Sequence, residues 1–379
     1  MTVKSPFNRR YVRIKAMQSL YAFYICKQAS YECALDQIHL AFTPDVFADP
    51  PADQVQLAKS QSQALALFQS LREPKQASQS EISGHDTQVI AAIERACSHY
   101  EREVTQDLKQ LQNGWKVAAN TTYQACLCIL QLFLAWADVA QQEAKRPRLR
   151  PEPSSLGGVL LSGNRILVRL CADTAFMRLA EQHAASWEDK KDLVVSWYNQ
   201  FIKNNAALQH DASSETTLRH DGELLVYLLQ DIVLEQEAIQ EFFTDLDLSW
   251  IEHRQIVKKM VCQALALLEK NTEKESICDI LESVTASQDL GNFYTDLISK
   301  TLAKEQEFDA LIKQHSKNWA IDRVMLLDKI ILRLGICEIV CFESIPVKVS
   351  INEYLDLSKV YSSPKSSPFI NGILDAVAY

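Results

Sequence analysis

The chain has 379 residues, 47% of them hydrophobic, and a net charge of −9, which provides for a substantial core and excludes a disordered chain. Only 9 glycines and 11 prolines leave little turn chemistry for a sandwich or barrel, so the composition predicts an all-α protein of about two to three domains. No apolar signal-peptide core opens the sequence, and its most apolar stretch, residues 125 to 137, is interrupted by Gln131 and falls short of the roughly 20 residues that cross a bilayer, so a cytoplasmic protein without membrane contact is expected.

Asn8, Arg9, Arg10, Arg13 and Lys15 crowd the start of the first helical pattern, and no Asp or Glu precedes Glu32. A basic tip on an acidic chain points to an anionic partner. Ile14, Met17, Tyr21 and Tyr24 recur at spacings of three and four, which predicts a helix over residues 9 to about 28. Cations at a helix start oppose the helix dipole, so something other than helix stability accounts for the arginines.

Residues 43 to 88 are rich in Gln, Ser, Ala and Pro and read as a loosely specified connection, with a helical pattern around residues 55 to 71. Two long helices are predicted next, over residues 86 to 111 and 118 to 144, the second apolar on most of its circumference. The basic, proline-containing stretch from 145 to 163 reads as a flexible linker. Helical patterns resume at 165 to 182, 187 to 204, 222 to 243 and 250 to 269. Residues 233 to 265 echo residues 302 to 334, pairing Trp250 with Trp319 and Arg254 with Arg323; a degenerate duplication and shared helical composition both account for this.

In the last ninety residues, 319 to 342 form a helix apolar on most sides, with Asp322, Lys329 and Arg333 as its polar stripe and Asp328 beside it. Ser350 and Glu353 have the spacing of a capping box before residues 351 to 360. Ser367 is placed to cap a last helix with Pro368 in its first position.

The ten cysteines fall mostly in apolar helical patterns without zinc spacing, and are read as reduced core residues. Cys337 and Cys341 alone, four apart on a helix, have the separation of a redox pair or half a metal site. The eight histidines are scattered, and HExxH, nucleophile-elbow and P-loop motifs are missing. Neither catalysis, nor a metal, nor a cofactor is expected.

The run Ile345-Pro-Val-Lys-Val-Ser-Ile-Asn-Glu353, then Leu357-Ser-Lys359, Ser366 and Phe369-Ile-Asn-Gly-Ile-Leu-Asp375, resembles the C-terminal signature of the NusB transcription antitermination family. Leu332-Arg-Leu334 with Glu338 matches its preceding helix. Residues 8 to 21 resemble the family's arginine-rich first helix. The layout looks like the enlarged NusB proteins of the Bacteroidetes group. On this resemblance the chain divides into a basic N-terminal helix of the NusB-like core over 1–42, a helical insertion over 43–285 and a C-terminal NusB-like bundle over 286–379.

The resemblance implies an RNA-binding antitermination factor that binds boxA-type ribosomal leader RNA with the NusE ribosomal protein. Other Nus factors and RNA polymerase would complete the assembly. By position, Arg9, Arg10 and Arg13 are the expected RNA contacts, Lys15 a phosphate contact, and Lys4 and Asn8 weaker additions. Phe369 is placed either to stack on a base or to fill the core, while Asn371 and Gly372 hold helix packing. Asp328 is placed on the NusE-facing surface, or in a plain surface salt bridge. Where short members carry an acidic loop residue and a basic residue before the aromatic, this chain has Lys365 and Pro368, so its RNA preference is expected to differ. The alternative is a helical protein–protein interaction scaffold that works through the insertion, with RNA contact vestigial.

Overall fold

The computed structural model describes residues 6–44, 53–72, 85–145, 156–203, 205, 208, 217–270, 288–316 and 324–378. Every regular element among them is helical: α1 (Arg9–Ala41), α2 (Gln54–Arg72), α3 (Thr87–Lys145), α4 (Leu156–Ser162), α5 (Arg165–Ala172), α6 (Thr174–Gln182), α7 (Lys191–Trp197), α8 (Leu218–Tyr227), α9 (Glu237–Leu246), α10 (Trp250–Lys270), α11 (Gln288–Ala303), α12 (Glu305–His315), α13 (Leu326–Cys341), α14 (Val347–Tyr361) and α15 (Ser366–Ala378). The chain is all-α, as its composition predicts.

Several boundaries differ from the sequence expectation for identifiable reasons. The two helices expected on either side of residue 114 are one, α3, of 59 residues. Gly114 does not break it, because the bare backbone accommodates a close neighbour: an added Cβ would lie 2.8 Å from Ser19 Oγ and would overlap the Tyr294 hydroxyl. Its apolar stretch gives α3 the length and composition of a membrane span, yet 67% of that window is buried inside the protein. The expected linker is helical over Leu156–Ser162; its basic part, 146–155, lies outside the described residues, as do Trp319, Asp322 and Arg323. No capping box opens α14. It starts at Val347, so Ser350 lies inside it and gives its hydroxyl to Glu338 at 2.6 Å. Nor does Ser367 cap α15, which begins at Ser366 and keeps Pro368 in its first turn, where no N–H is needed.

The structure forms two compact units, residues up to Val12 with Trp115–Phe293, and Arg13–Gly114 with Tyr294–Tyr379. The boundary falls inside α1, α3 and α11, so the units do not follow the division expected from the resemblance. In the first, the C-terminal half of α3 buries Ala125, Leu127, Ile129, Leu130, Phe133 and Trp136. Trp187 Nε1 donates to the Cys128 carbonyl at 2.8 Å, and Phe243 stacks on Trp250 with centroids 4.7 Å apart. Asn164 caps α5 by accepting from Ile166 N and Leu167 N.

In the second unit, the segment read as a loose connection is part of a core. Phe68 and Ala64 of α2 are fully buried with Ala34 and Ile38 of α1 and Ala96 of α3. Helices α13, α14 and α15 pack on one another around Ile331, Leu334, Tyr354, Ile370 and Leu374. Arg333 of α13 is also buried, and its guanidinium pairs with Asp309 at 2.7 Å and Glu305 at 2.7 Å while lying over the Tyr24 ring. Cys337 is buried with its Sγ 3.9 Å from the Leu297 carbonyl, and burial pushes its thiol pKa up to about 12, which makes it a poor nucleophile or ligand.

Burial also raises the phenol pKa of Tyr24, Tyr294 and Tyr354, to about 12 for Tyr294. A raised folded-state pKa contributes stability that is fully present below the unfolded phenol value of about 10 and is lost as pH climbs through the folded value. Denaturant unfolding is therefore expected to be insensitive to these groups up to about pH 9.5 and to weaken steadily toward about pH 12. A flat profile across that window would contradict the burial of the three phenols.

Candidate nucleic-acid interface

The basic tip is built from the first turn of α1 outward. Asn8 Oδ1 accepts from Tyr11 N at 2.9 Å, satisfying one of the orphan amides of the helix start. Asn8 is thus the helix cap, a role its type predicts and the RNA assignment overlooked. Phe7 and Tyr11 lie 5.2 Å apart by centroid, each packed edge-on to Trp115. Arg9 and Arg10 are exposed, with the Arg9 guanidinium 5.4 Å over the Phe293 ring. These residues all belong to the first unit. Lys4 lies outside the described residues.

Arg13 is a correction to the expected set. It is 3% exposed, and its Nε and Nη2 donate to the two carboxylate oxygens of Glu338 at 2.8 and 2.7 Å. Burial by itself would lower the guanidinium pKa, but the hydrogen bond and charge of Glu338 outweigh it and raise the value. Arg13 therefore holds α1 to α13 and α14 within the second unit and has no face to offer RNA. Arg13 lies three positions beyond Arg10, nearly a full turn deeper into α1, on the side of the buried Met17 and Leu20 that Arg9 and Arg10 share at the exposed helix start. Sequence reasoning missed Glu338 as a functional partner. The readable signal was an acid within a helix apolar on most sides, which requires a cation.

Lys15 and Phe369 are half-buried, both in the second unit. Asp328 is a second correction, because it neither faces solvent nor forms a surface salt bridge. It is 5% exposed, and its carboxylate accepts from the hydroxyls of Ser362 and Ser366, the latter at 2.7 Å. The residue secures the turn between α14 and α15 against α13. In front of that turn a groove of about 550 Å³ opens between α1, α13 and α14, lined by Met17, Tyr21, Met325, Leu326, Leu327 and Tyr361.

Around Phe369, Asn371 Nδ2 donates to Asp375 Oδ2 at 2.9 Å on the exposed side of α15. Gly372 does not serve helix packing as expected: it is exposed, and a Cβ built on it meets nothing within 4 Å. A glycine inside a helix costs about 0.5–1 kcal/mol relative to alanine, and no close approach of another described residue offsets it here. Gly372→Ala is expected to raise unfolding stability by that amount, as read by denaturant titration, since the extra methyl enters open space.

Among the described residues no group of three His, Cys, Asp or Glu side chains is placed to hold a metal ion. The NusB family profile matches residues 252–379. A transcription antitermination protein NusB from Natranaerobius thermophilus is 39% identical over 127 residues, 33% of this chain and 91% of that protein. Another from Chloroherpeton thalassium is 36% identical over 129 residues, 33% of this chain and 61% of that one. The solved structure of T. maritima NusB aligns with 32% of this chain and 86% of its own at 28% identity and a TM-score of 0.24. The family match opens at α10 and leaves α1 outside it.

Proposed function

The chain belongs to the NusB family, and on that premise we propose that it is a transcription antitermination factor that binds single-stranded boxA-type leader RNA together with the NusE ribosomal protein. Other Nus factors and RNA polymerase complete the assembly in the cytoplasm, and the protein contributes binding, not catalysis. The observation that carries the RNA contact is the mounting of Arg9 and Arg10, two exposed guanidinia on a helix start that is capped by Asn8 and pinned by Phe7 and Tyr11. Arginine offers forked donors to phosphate and base edges and a planar face to an unstacked base, and single-stranded RNA presents both targets. A rigid mount lowers the entropy lost when the contact forms.

Lys15 supplies a further phosphate contact, and the half-buried Phe369 a stacking face beside the open backbone at Gly372. The protein partner docks in the apolar groove flanked by Tyr21 and Met325, which are 42% and 49% exposed. Asp328 shapes that groove from behind through the serine turn and does not touch the partner. By origin, the chain consists of a NusB-like N-terminal helix (1–42), an insertion (43–285) and a NusB-like bundle (286–379).

The test is a gel-shift titration of the full chain with boxA RNA and a scrambled control, with and without the NusE protein. Preference for boxA that strengthens with the partner is expected; equal retention of both RNAs in its presence would overturn the proposal. The scaffold reading draws on Leu248 and Ile251, which are 93% and 76% exposed at the start of α10. A pull-down that recovers other proteins but neither the NusE protein nor leader RNA would favour it.

A further inference from the structure

Beneath the basic tip the first unit buries a chain of three polar side chains. Tyr11, His253 and Asp247 are 5%, 1% and 7% exposed. The Tyr11 hydroxyl bonds to His253 Nε2, and His253 Nδ1 bonds to Asp247 Oδ2. The second oxygen of Asp247 accepts from Ser249 N at 2.9 Å, and its backbone carbonyl accepts from Trp250 N at 2.8 Å, so the aspartate is built into the turn that opens α10.

Chemistry gives this chain a direction. A carboxylate only accepts, so His253 Nδ1 carries a proton; in the singly protonated tautomer Nε2 accepts and Tyr11 donates. The aspartate sets the tautomer, and the tautomer sets the bond that reaches the first turn of α1. The rings of Phe7 and Trp115 close around Tyr11 at 5.2 and 6.0 Å. Aromatic packing alone tolerates sliding and rotation, whereas a buried hydrogen-bond chain is satisfied in one orientation only. Apolar side chains of similar size would fill the space without the desolvation penalty, so the polar chain is better explained by orientation than by stability. Arg9 and Arg10 are the residues immediately before Tyr11.

We propose that Asp247, His253 and Tyr11 are positioning residues that hold Arg9 and Arg10 in register for RNA, so that the start of α10 supports the RNA-contacting tip. The inference rests on the RNA reading above. It is tested by titrating a short single-stranded boxA RNA against the full-length protein carrying Tyr11→Phe, which keeps the ring and removes the hydroxyl, or Asp247→Asn, which keeps the cap to Ser249 and removes the charge that orients His253. Each is expected to weaken binding about five- to tenfold. In an Arg9→Ala/Arg10→Ala background the same changes are expected to cost less than about twofold, because nothing remains to be positioned. Equal losses in both backgrounds would assign the chain to general stability and overturn the proposal. So would unchanged binding in Tyr11→Phe and Asp247→Asn alongside a clear loss in the arginine variant, an outcome that leaves the RNA reading intact. No loss in the arginine variant itself would overturn the RNA reading, and the positioning role with it.

Discussion

Glu338→Ala is expected to lower stability by about 3–5 kcal/mol, the cost of leaving a buried charge without its counterion. Glu338 is fully buried and accepts four hydrogen bonds: from Arg13 Nε and Nη2 at 2.8 and 2.7 Å, from the Ser350 hydroxyl at 2.6 Å and from the Tyr354 hydroxyl at 3.1 Å. Removing the carboxylate leaves a guanidinium that is 3% exposed facing the more distant Glu353 at 3.6 Å, and deprives two hydroxyls of their acceptor. Replacing both members together, as Arg13→Met with Glu338→Leu, removes the stranded charge, so the double variant is expected to lose less than the single one. Denaturant unfolding of the unsubstituted protein and the two variants makes this comparison. A loss below about 1 kcal/mol in Glu338→Ala would show that Arg13 finds water or another acid, and the reading of Arg13 as a fold residue would fail.

Neutralising the exposed pair, Arg9→Ala with Arg10→Ala, is expected to cut affinity for single-stranded boxA RNA by about 100-fold at low salt, roughly tenfold per arginine. The dependence of log affinity on log salt is expected to flatten by about 1.4, since each phosphate contact on a single strand contributes about 0.7. Unfolding stability is expected to change by less than about 1 kcal/mol, because both side chains are exposed and the Arg9 contact with Phe293 is a cation–π pair at an exposed site. Fluorescence anisotropy across a salt series reads both quantities. An unchanged slope would remove these arginines from the interface. The two experiments separate residues only four positions apart: Arg13 moves stability, Arg9 and Arg10 move binding.

That separation marks the limit of what was legible in the sequence. Arg9, Arg10 and Arg13 are one cluster when read along the chain, and the resemblance assigns all three the same role. A helical wheel does not divide them, since all three project over the side that carries Met17 and Leu20; Arg13 lies one turn deeper, and a cation on an apolar side is interpretable only once its acid is known. That acid, Glu338, is 325 residues away. Asp328 misleads for the opposite reason. Its position beside the polar stripe of α13 implies exposure, whereas two serines of the turn between α14 and α15 cover it. The helical pattern at 55 to 71 forms as α2, but that it joins a core is visible only once Phe68 meets α1 and α3, and the two helices expected on either side of Gly114 run on as one where Tyr294 packs against it.

The sequence by itself determined the all-α class, the family and the identity of the basic tip, because helical periodicity, scarcity of glycine and proline, and a short signature are local properties that survive without neighbours. Only the tertiary structure decided which charged residues face solvent and which are consumed inside. The desolvation cost of a buried ion depends on partners brought together by folding, and helix spacing alone names a side without naming what covers it.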